Sequence, residues 1–230
     1  ITGEKPEGLT ATIMGTGGGG TATAHRVVFA LLCKPELLNA PYREIVDAAG
    51  VALGAIGWVF FDLEGRGFVA GKQLKRNRRF LEPTRLFDEW VTNYPIKLRP
   101  KLNPQRFNAP NPDLLKNAIL TDLGAYWGGE VAAARLTDYL KPEICTIYLD
   151  PQKGRDALTK LVATHRLRAD PEGNVEILDK FWNLPADPLH PDVVPPILAY
   201  ADLVASLNTR NLELANLIRE RYIDNALRQT

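Results

Sequence analysis

The fold is decided by residues 53–81, which read LGAIGWVFFDLEGRGFVAGKQLKRNRRFL. The first part of this stretch places large apolar residues at helical spacing, and it predicts a helix with one buried stripe. The residues of that stripe are Ile56, Val59, Phe60 and Leu63. Gly65 ends the helix, a short strand follows, and residues 72–79 predict a basic hairpin.

Another helix is predicted immediately before this stretch. Pro41 suits the start of a helix and Gly50 suits its end. An apolar first helix begins at residue 25 and is stopped by Lys34-Pro35. Helix, tight glycine turn and helix make a helix-turn-helix, and the hairpin completes a winged helix over residues 25–95.

The hairpin is the clearest functional signal in the chain. Its eight residues include five Lys/Arg and no acidic residue, namely Lys72, Lys75, Arg76, Arg78 and Arg79. Such a cluster neutralises several phosphates, so we expect it to contact double-stranded DNA, with Arg43 and Arg66 as secondary candidates. An isolated charge run is usually a solvated surface, but a position after a helix-turn-helix favours contact with DNA.

The exposed face of the second helix of the pair lacks base-reading side chains. The residues on that face are Ala52, Gly54, Ala55, Gly57 and Trp58. None of them is an Arg, Asn, Gln or Ser that would bond to base edges. Base reading is therefore expected from the hairpin, from Trp58 and alanine contacts with thymine methyl groups, or from DNA shape. Trp58 also suits a core position or a protein interface.

The rest of the chain predicts a second module. A helix is expected after Pro83, then an extended proline-rich connector over residues 96–112 and an α/β domain over residues 113–230. The elements predicted there are helices at 129–136, 154–161, 196–207 and 212–226, a strand at 144–149, and strands at 166–168 and 175–178 flanking a turn. The fold class is therefore α+β, a winged helix-turn-helix followed by an α/β domain.

The two halves of the chain differ in net charge. Residues 25–106 hold 14 Lys/Arg against 8 Asp/Glu, whereas residues 107–230 hold 13 against 17. This asymmetry indicates different partners for the halves. The two cysteines, Cys33 and Cys145, lie in apolar surroundings and suit a reducing compartment. With no long apolar run or signal peptide pattern, we expect a cytoplasmic protein without a membrane partner.

Residues 1–24 hold a glycine-rich segment that follows a strand-like run and precedes a helix. The glycines from Gly15 to Gly20 fit the spacing of a dinucleotide-binding loop. A second strand with a terminal acidic residue is missing, so a flexible linker is the preferred interpretation. Because the chain starts at Ile1 without an initiator Met, this segment is also read as the end of a missing upstream domain.

An enzyme is the rival class. His25, His165 and His190 are far apart and lack zinc-binding spacing, and Ser206, the only serine, lies in no nucleophile motif. The best enzymatic candidate is Trp127-Gly-Gly129 with the strand before Asp150, which is similar to a nucleotidyltransferase core but offers one carboxylate where two are needed. We therefore expect no enzyme and no cofactor. A degenerate nucleotidyltransferase-like fold kept for binding, and a module that binds protein or RNA, are the alternatives.

Several blocks of sequence resemble one known family. They are VVFALLCKPELLNAPYREI at 27–45, LRPKL at 98–102, WGGEVAAARL at 127–136, LRADPEG at 167–173 and PPILAYAD at 195–202. The family is that of the AbiEi-type transcriptional regulators, the antitoxins of bacterial type IV toxin–antitoxin systems. The resemblance implies a winged helix that binds operator DNA and represses its own operon, and a C-terminal domain that counters a nucleotidyltransferase toxin. It also implies a further N-terminal domain.

Overall fold

The computed structural model describes residues 21–71, 78–139 and 141–228. In these ranges the chain is an α+β protein, as predicted. The helices are α1 (Ala22–Cys33), α2 (Tyr42–Ala49), α3 (Leu53–Gly65), α4 (Pro83–Lys97), α5 (Pro112–Lys116), α6 (Gly129–Thr137), α7 (Gly154–His165), α8 (Pro196–Ala205), α9 (Thr209–Ile218) and α10 (Asp224–Arg228). The strands are β1 (Val69–Ala70), β2 (Arg79–Phe80), β3 (Gln105–Asn108), β4 (Ala125–Gly128), β5 (Cys145–Leu149), β6 (Arg168–Ala169) and β7 (Val175–Asp179).

Helices α1, α2 and α3 pack together at the N-terminal end. The Oγ1 atom of Thr21 accepts a hydrogen bond of 3.1 Å from the backbone N–H of Ala24 and so caps α1. Helix α2 ends at Gly50, whose φ of 61° lies in the left-handed region that glycine adopts without strain. The axis then turns by 99° into α3. Both predicted helices are present, and all four residues of the predicted α3 stripe are buried.

A two-stranded antiparallel sheet follows α3. Strands β1 and β2 pair Val69 with Phe80 and Ala70 with Arg79. Residues 72–77, which include Lys72, Lys75 and Arg76 of the predicted hairpin, lie outside the described residues. Phe68 and Val69 are buried, and thus the start of the hairpin is fixed to the core under α3.

The main sheet has five strands in the order β4-β5-β7-β3-β6. Among the described strands of this sheet, β5 and β7 pair in parallel and the other neighbours are antiparallel. The two strands predicted on either side of the turn at 170–174 are present as β6 and β7, but they are not neighbours in the sheet. Strand β3 lies between them, and its Phe107 is opposite Ala169 on one side and Val175 on the other.

The expectation of an extended connector over residues 96–112 is also corrected. Gln105–Asn108 forms β3, which lies inside the main sheet. Proline lacks a backbone donor and is tolerated at strand ends, and here Pro104 and Pro110 flank the strand without interrupting it. The prolines therefore delimit a strand where an open linker was expected.

The main sheet is covered on both faces. On one face Trp127, Ile147 and Ile177 belong to a core that includes residues of α5 and α7. On the other face Tyr148 and Leu178 join a larger core that reaches from α1 to α10. The predicted domain boundaries at 95 and 113 stay a prediction, and this second core joins residues on both sides of them.

Within the described ranges, no single helix has the length and apolar composition needed to cross a membrane. Helices α2 and α3 meet both criteria only when they are taken together across their bend.

Candidate functional site

Arg78, at the base of the predicted hairpin, is directed into the protein. Its Nη2 donates to the Tyr42 hydroxyl at 3.1 Å, and its Nε donates to Glu64 Oε1 at 3.4 Å. The guanidinium carbon lies 4.0 Å from the centre of the Phe60 ring, and the side chain is only 8% exposed. Arg78 therefore anchors the hairpin to α2 and α3. The phosphate contact that the sequence predicted for it stays a prediction.

Asn39 holds the backbone of the same residue. Its Nδ2 donates to the carbonyl of Arg78 and its Oδ1 accepts from the N–H of Arg78, both at 2.8 Å. The carboxamide thus bonds to Arg78 as a neighbouring strand would. Asn39 is the last residue of the short 3-10 turn before α2. Its role was not predicted, because no local sequence pattern relates two residues that are 39 positions apart.

Arg66 also makes internal contacts. Its guanidinium forms ion pairs with Asp62, at 3.3 Å, and with Glu89 of α4. It also lies 4.7 Å from the centre of the Phe68 ring. Burial acts to lower the pKa of Arg66, but the hydrogen bonds and charges of the two carboxylates outweigh it and raise the pKa. Arg66 thus joins α3 to α4 at the surface, with its side chain 37% exposed.

Arg43, Arg66 and Arg79 are the predicted cations that are exposed among the described residues. Arg43 is in the first turn of α2, and Arg79 is in β2, opposite Ala70. Neither makes an ion pair with another described residue. Of the predicted cations in the described part of the chain, Arg43 and Arg79 therefore make no ion pair, Arg66 makes ion pairs at the surface, and only Arg78 is directed into the protein.

The outer face of α3 is apolar and open. Leu53, Trp58 and Phe61 are 52%, 67% and 60% exposed, which is unusual for side chains of this size. The rings of Trp58 and Phe61 meet edge to face, with centroids 6.2 Å apart. A Cβ atom added at Gly54 or Gly57 would have nothing within 4 Å. Trp58 is thus a surface residue, and the core position considered for it is wrong.

A buried polar network connects the two parts of the chain. Oδ1 of Asp202 accepts hydrogen bonds from the hydroxyls of Tyr94 at 3.0 Å and Tyr148 at 2.8 Å. Its Oδ2 accepts from the N–H of Gly129 at 3.2 Å. Burial raises the pKa of Asp202, and the charge of Arg99 and these donors oppose the rise. One carboxylate therefore links α4, β5, the start of α6 and α8.

Arg99 extends this network to the main sheet. Its two Nη atoms donate to the carboxylate of Glu176 at 3.0 and 2.5 Å, a bidentate pair. Its Nε lies 3.7 Å from Asp202 Oδ1. The carboxylates of Glu176 and Asp202 are thus already bonded to protein groups.

The Trp-Gly-Gly-Glu block has a structural explanation at each polar or glycine position. A Cβ at Gly128 would lie 2.6 Å from the Tyr148 ring, and Gly129 has a φ of 49°. Glu130 is buried and accepts from the backbone N–H groups of Glu143 at 2.6 Å and Ile144 at 3.3 Å. The block therefore fixes the junction of β4 and α6.

The described residues hold no group of three or more His, Cys, Asp or Glu side chains that could bind one metal ion. Burial raises the pKa of both thiols, that of Cys145 to about 11, so both are protonated at neutral pH. Neither cysteine is an activated nucleophile.

The fold and these sites define an α+β protein in which a helical N-terminal part and a basic hairpin are joined to a mixed sheet. Residues 79–224 match the family described as the AbiEi antitoxin, a transcriptional regulator of type IV toxin–antitoxin systems. The match covers more than half of the chain, and the chain belongs to that family. Helices α1–α3 and β1 precede the matched range. No curated protein and no solved structure matches the chain.

Proposed function

We propose that this protein is a cytoplasmic DNA-binding regulator that represses its own operon. In this proposal α2, α3 and the β1–β2 hairpin form a winged helix that binds double-stranded operator DNA. The observation that carries the proposal is the position of Arg78, which holds the base of the hairpin against Phe60 and Glu64 of α3. A basic hairpin fixed beside an exposed helix is the arrangement that a winged helix presents to a DNA duplex.

Charge supports the proposal. Between β1 and β2 the sequence carries Lys72, Lys75 and Arg76, and β2 adds the exposed Arg79. Each cation that neutralises a phosphate releases condensed counterions, which gives affinity for any duplex and makes that affinity salt-dependent. The proposal assigns these four residues to phosphate contact and assigns Arg78 to positioning.

We propose further that the part of the chain after β2 provides the antitoxin function of the family. Residues 107–230 are net acidic, with 13 Lys/Arg against 17 Asp/Glu, which suits a protein partner better than DNA. The partner proposed is a nucleotidyltransferase toxin. A module that binds only protein or RNA remains the second candidate, favoured by the exposed apolar face of α3.

The C-terminal part is proposed to bind its partner without catalysis. A nucleotidyltransferase core needs two free carboxylates for Mg²⁺ near its glycine loop. Next to Gly129 the strand β5 offers Thr146 and Tyr148, while Glu176 and Asp202 are occupied by the network described above. An inactive relative of that fold is the interpretation these residues support.

A fluorescence-anisotropy titration tests the DNA-binding proposal. The chain is titrated against DNA from upstream of its own gene and against a scrambled duplex of equal length, at two salt concentrations. We expect tighter binding to the upstream DNA, and affinity for both duplexes that falls as salt rises. Equal affinity for both duplexes would contradict the autoregulatory role. Absence of binding would favour the alternative in which the α3 face binds a protein.

A further inference from the structure

The outer face of α3 has a composition that limits what it can recognise. Leu53 and Trp58 are large, apolar and more than half exposed, and Gly54 and Gly57 lie between them without side chains. Apart from the indole N–H of Trp58, the side chains of these four residues offer no hydrogen-bonding group. A helix with this face cannot form the bidentate contacts by which Arg, Asn or Gln distinguish bases.

One apolar group does occur on base edges in the major groove. Thymine carries a C5-methyl group there, and apolar side chains contact it. We infer that α3 reads thymine through this methyl group, with Leu53 and Trp58 as the specificity-determining residues. This inference rests on the proposed function, because it requires α3 to face the major groove.

The shape of the face fits a close approach to DNA. Nothing lies within 4 Å of a Cβ added at Gly54 or Gly57, so the helix backbone is accessible between the two large side chains. Ala52 supplies no side-chain cap to this 13-residue helix, and of the first-turn amides that of Ala55 is bonded to the Ala52 carbonyl at 3.0 Å. A deep position in the groove would bring the accessible backbone into contact with the duplex.

The position of the hairpin favours DNA over a protein partner for this face. Arg78 contacts Phe60 and Glu64, which lie seven residues, or two helical turns, after Leu53 and Gly57. The hairpin base therefore borders the apolar face along the side of α3 that carries Leu53. The charge of Arg78 is paired with Glu64, so the available cation at this border is its exposed neighbour Arg79. An apolar strip bordered by an exposed cation is complementary to base edges between phosphate backbones.

The test removes the methyl group from the DNA. The fragment upstream of the gene is amplified with either thymidine or deoxyuridine triphosphate, which leaves every hydrogen-bonding group of the bases unchanged. We expect the uracil fragment to bind more weakly, by about fourfold for each methyl group that α3 buries. Trp58→Ala should weaken binding to the thymine fragment and leave binding to the uracil fragment unchanged. The matched control, Arg79→Ala, should weaken binding to both fragments by the same factor.

The outcomes separate this inference from the proposed function. Equal affinity for both fragments, with the preference for upstream DNA retained, would overturn thymine reading and leave the regulator intact. Absence of any DNA binding would overturn both. If Trp58→Ala instead abolishes self-association in sedimentation experiments, and the two fragments bind equally, the face belongs to a second copy of the chain and the inference is wrong.

Discussion

Asn39 and Arg78 exchange two hydrogen bonds of 2.8 Å between a side-chain carboxamide and a backbone amide. Together with the contacts of the Arg78 guanidinium on Tyr42, Phe60 and Glu64, this pair fixes the start of β2 against α2 and α3. In the winged helix proposed above, Arg78 would contribute to DNA binding through geometry, because its charge is already paired with Glu64 inside the protein.

Replacing Arg78 should therefore differ from replacing Arg79. In Arg78→Met the apolar stem can still cover Phe60, but the hairpin loses its anchor, so we expect lower affinity with the salt slope unchanged. Arg79→Met should lower affinity and flatten the slope by about 0.9, the value for one phosphate contact. Titrations at four salt concentrations measure both quantities.

The control is Asn39→Ala, which removes no charge and should behave like Arg78→Met. If the salt slope is flattened equally in Arg78→Met and Arg79→Met, Arg78 is a phosphate ligand.

The basic residues between β1 and β2 allow a second prediction. The triple variant Lys72→Ala, Lys75→Ala and Arg76→Ala should lose affinity for all duplexes by about the same factor, with a slope flatter by about 0.9 per lost contact. A control of equal charge change is Arg155→Ala, Lys160→Ala and Arg168→Ala, at exposed positions of the C-terminal part. The hairpin assignment fails if the two triple variants bind alike.

Local patterns in the sequence predicted most helices. Apolar spacing between Leu53 and Leu63 is enough to define α3, and Pro41 with Gly50 defines α2, because helix periodicity and caps act within a few residues. Strand β5 was likewise predicted from one continuous apolar run. These elements depend on residues that are close in sequence, so a single sequence is enough to predict them.

Contacts between distant residues were not predictable in this way. Tyr94 bonds to Asp202, 108 positions away, and Asn39 bonds to Arg78. The insertion of β3 between β6 and β7 is also a long-range pairing, and the prolines around β3 indicated a linker instead. The inward direction of Arg78 had no local signal, since its neighbours in sequence are all polar or basic.

Two glycines in different surroundings give a prediction about stability. Gly128→Ala would place a Cβ 2.6 Å from the Tyr148 ring and 2.8 Å from Asp202 Oδ2, so we expect the free energy of unfolding to fall by about 1–3 kcal/mol. Gly57→Ala meets nothing within 4 Å inside a helix and should raise the same quantity by roughly 0.5–1 kcal/mol. Urea unfolding of both variants measures the difference. A Gly128→Ala protein as stable as the parent would contradict the packing described for the β4–α6 junction.

His25 predicts how stability changes with pH. The side chain is buried at the start of α1, and burial lowers its pKa, although the Thr21 carbonyl at 3.1 Å and the charge of Glu89 act to raise it. In the unfolded chain the imidazole titrates near its ordinary pKa of about 6.5. As pH falls below that value, the unfolded state binds a proton that the folded state does not, so stability decreases until the lowered pKa of the folded state is reached.

The expected slope from His25 is at most about 1.4 kcal/mol per pH unit between pH 7 and 5.5, a range in which histidines titrate and carboxylates stay ionised. Urea unfolding of the parent and of His25→Gln at several pH values measures it. His165, whose pKa is also lowered by burial, adds to the parent slope, so His165→Gln is the matched variant. Because His25 is the more deeply buried of the two, His25→Gln should flatten the profile more than His165→Gln does. The opposite order would show that protonated His25 is tolerated beside Thr21 and Glu89, and that the N-terminal turn of α1 opens at low cost.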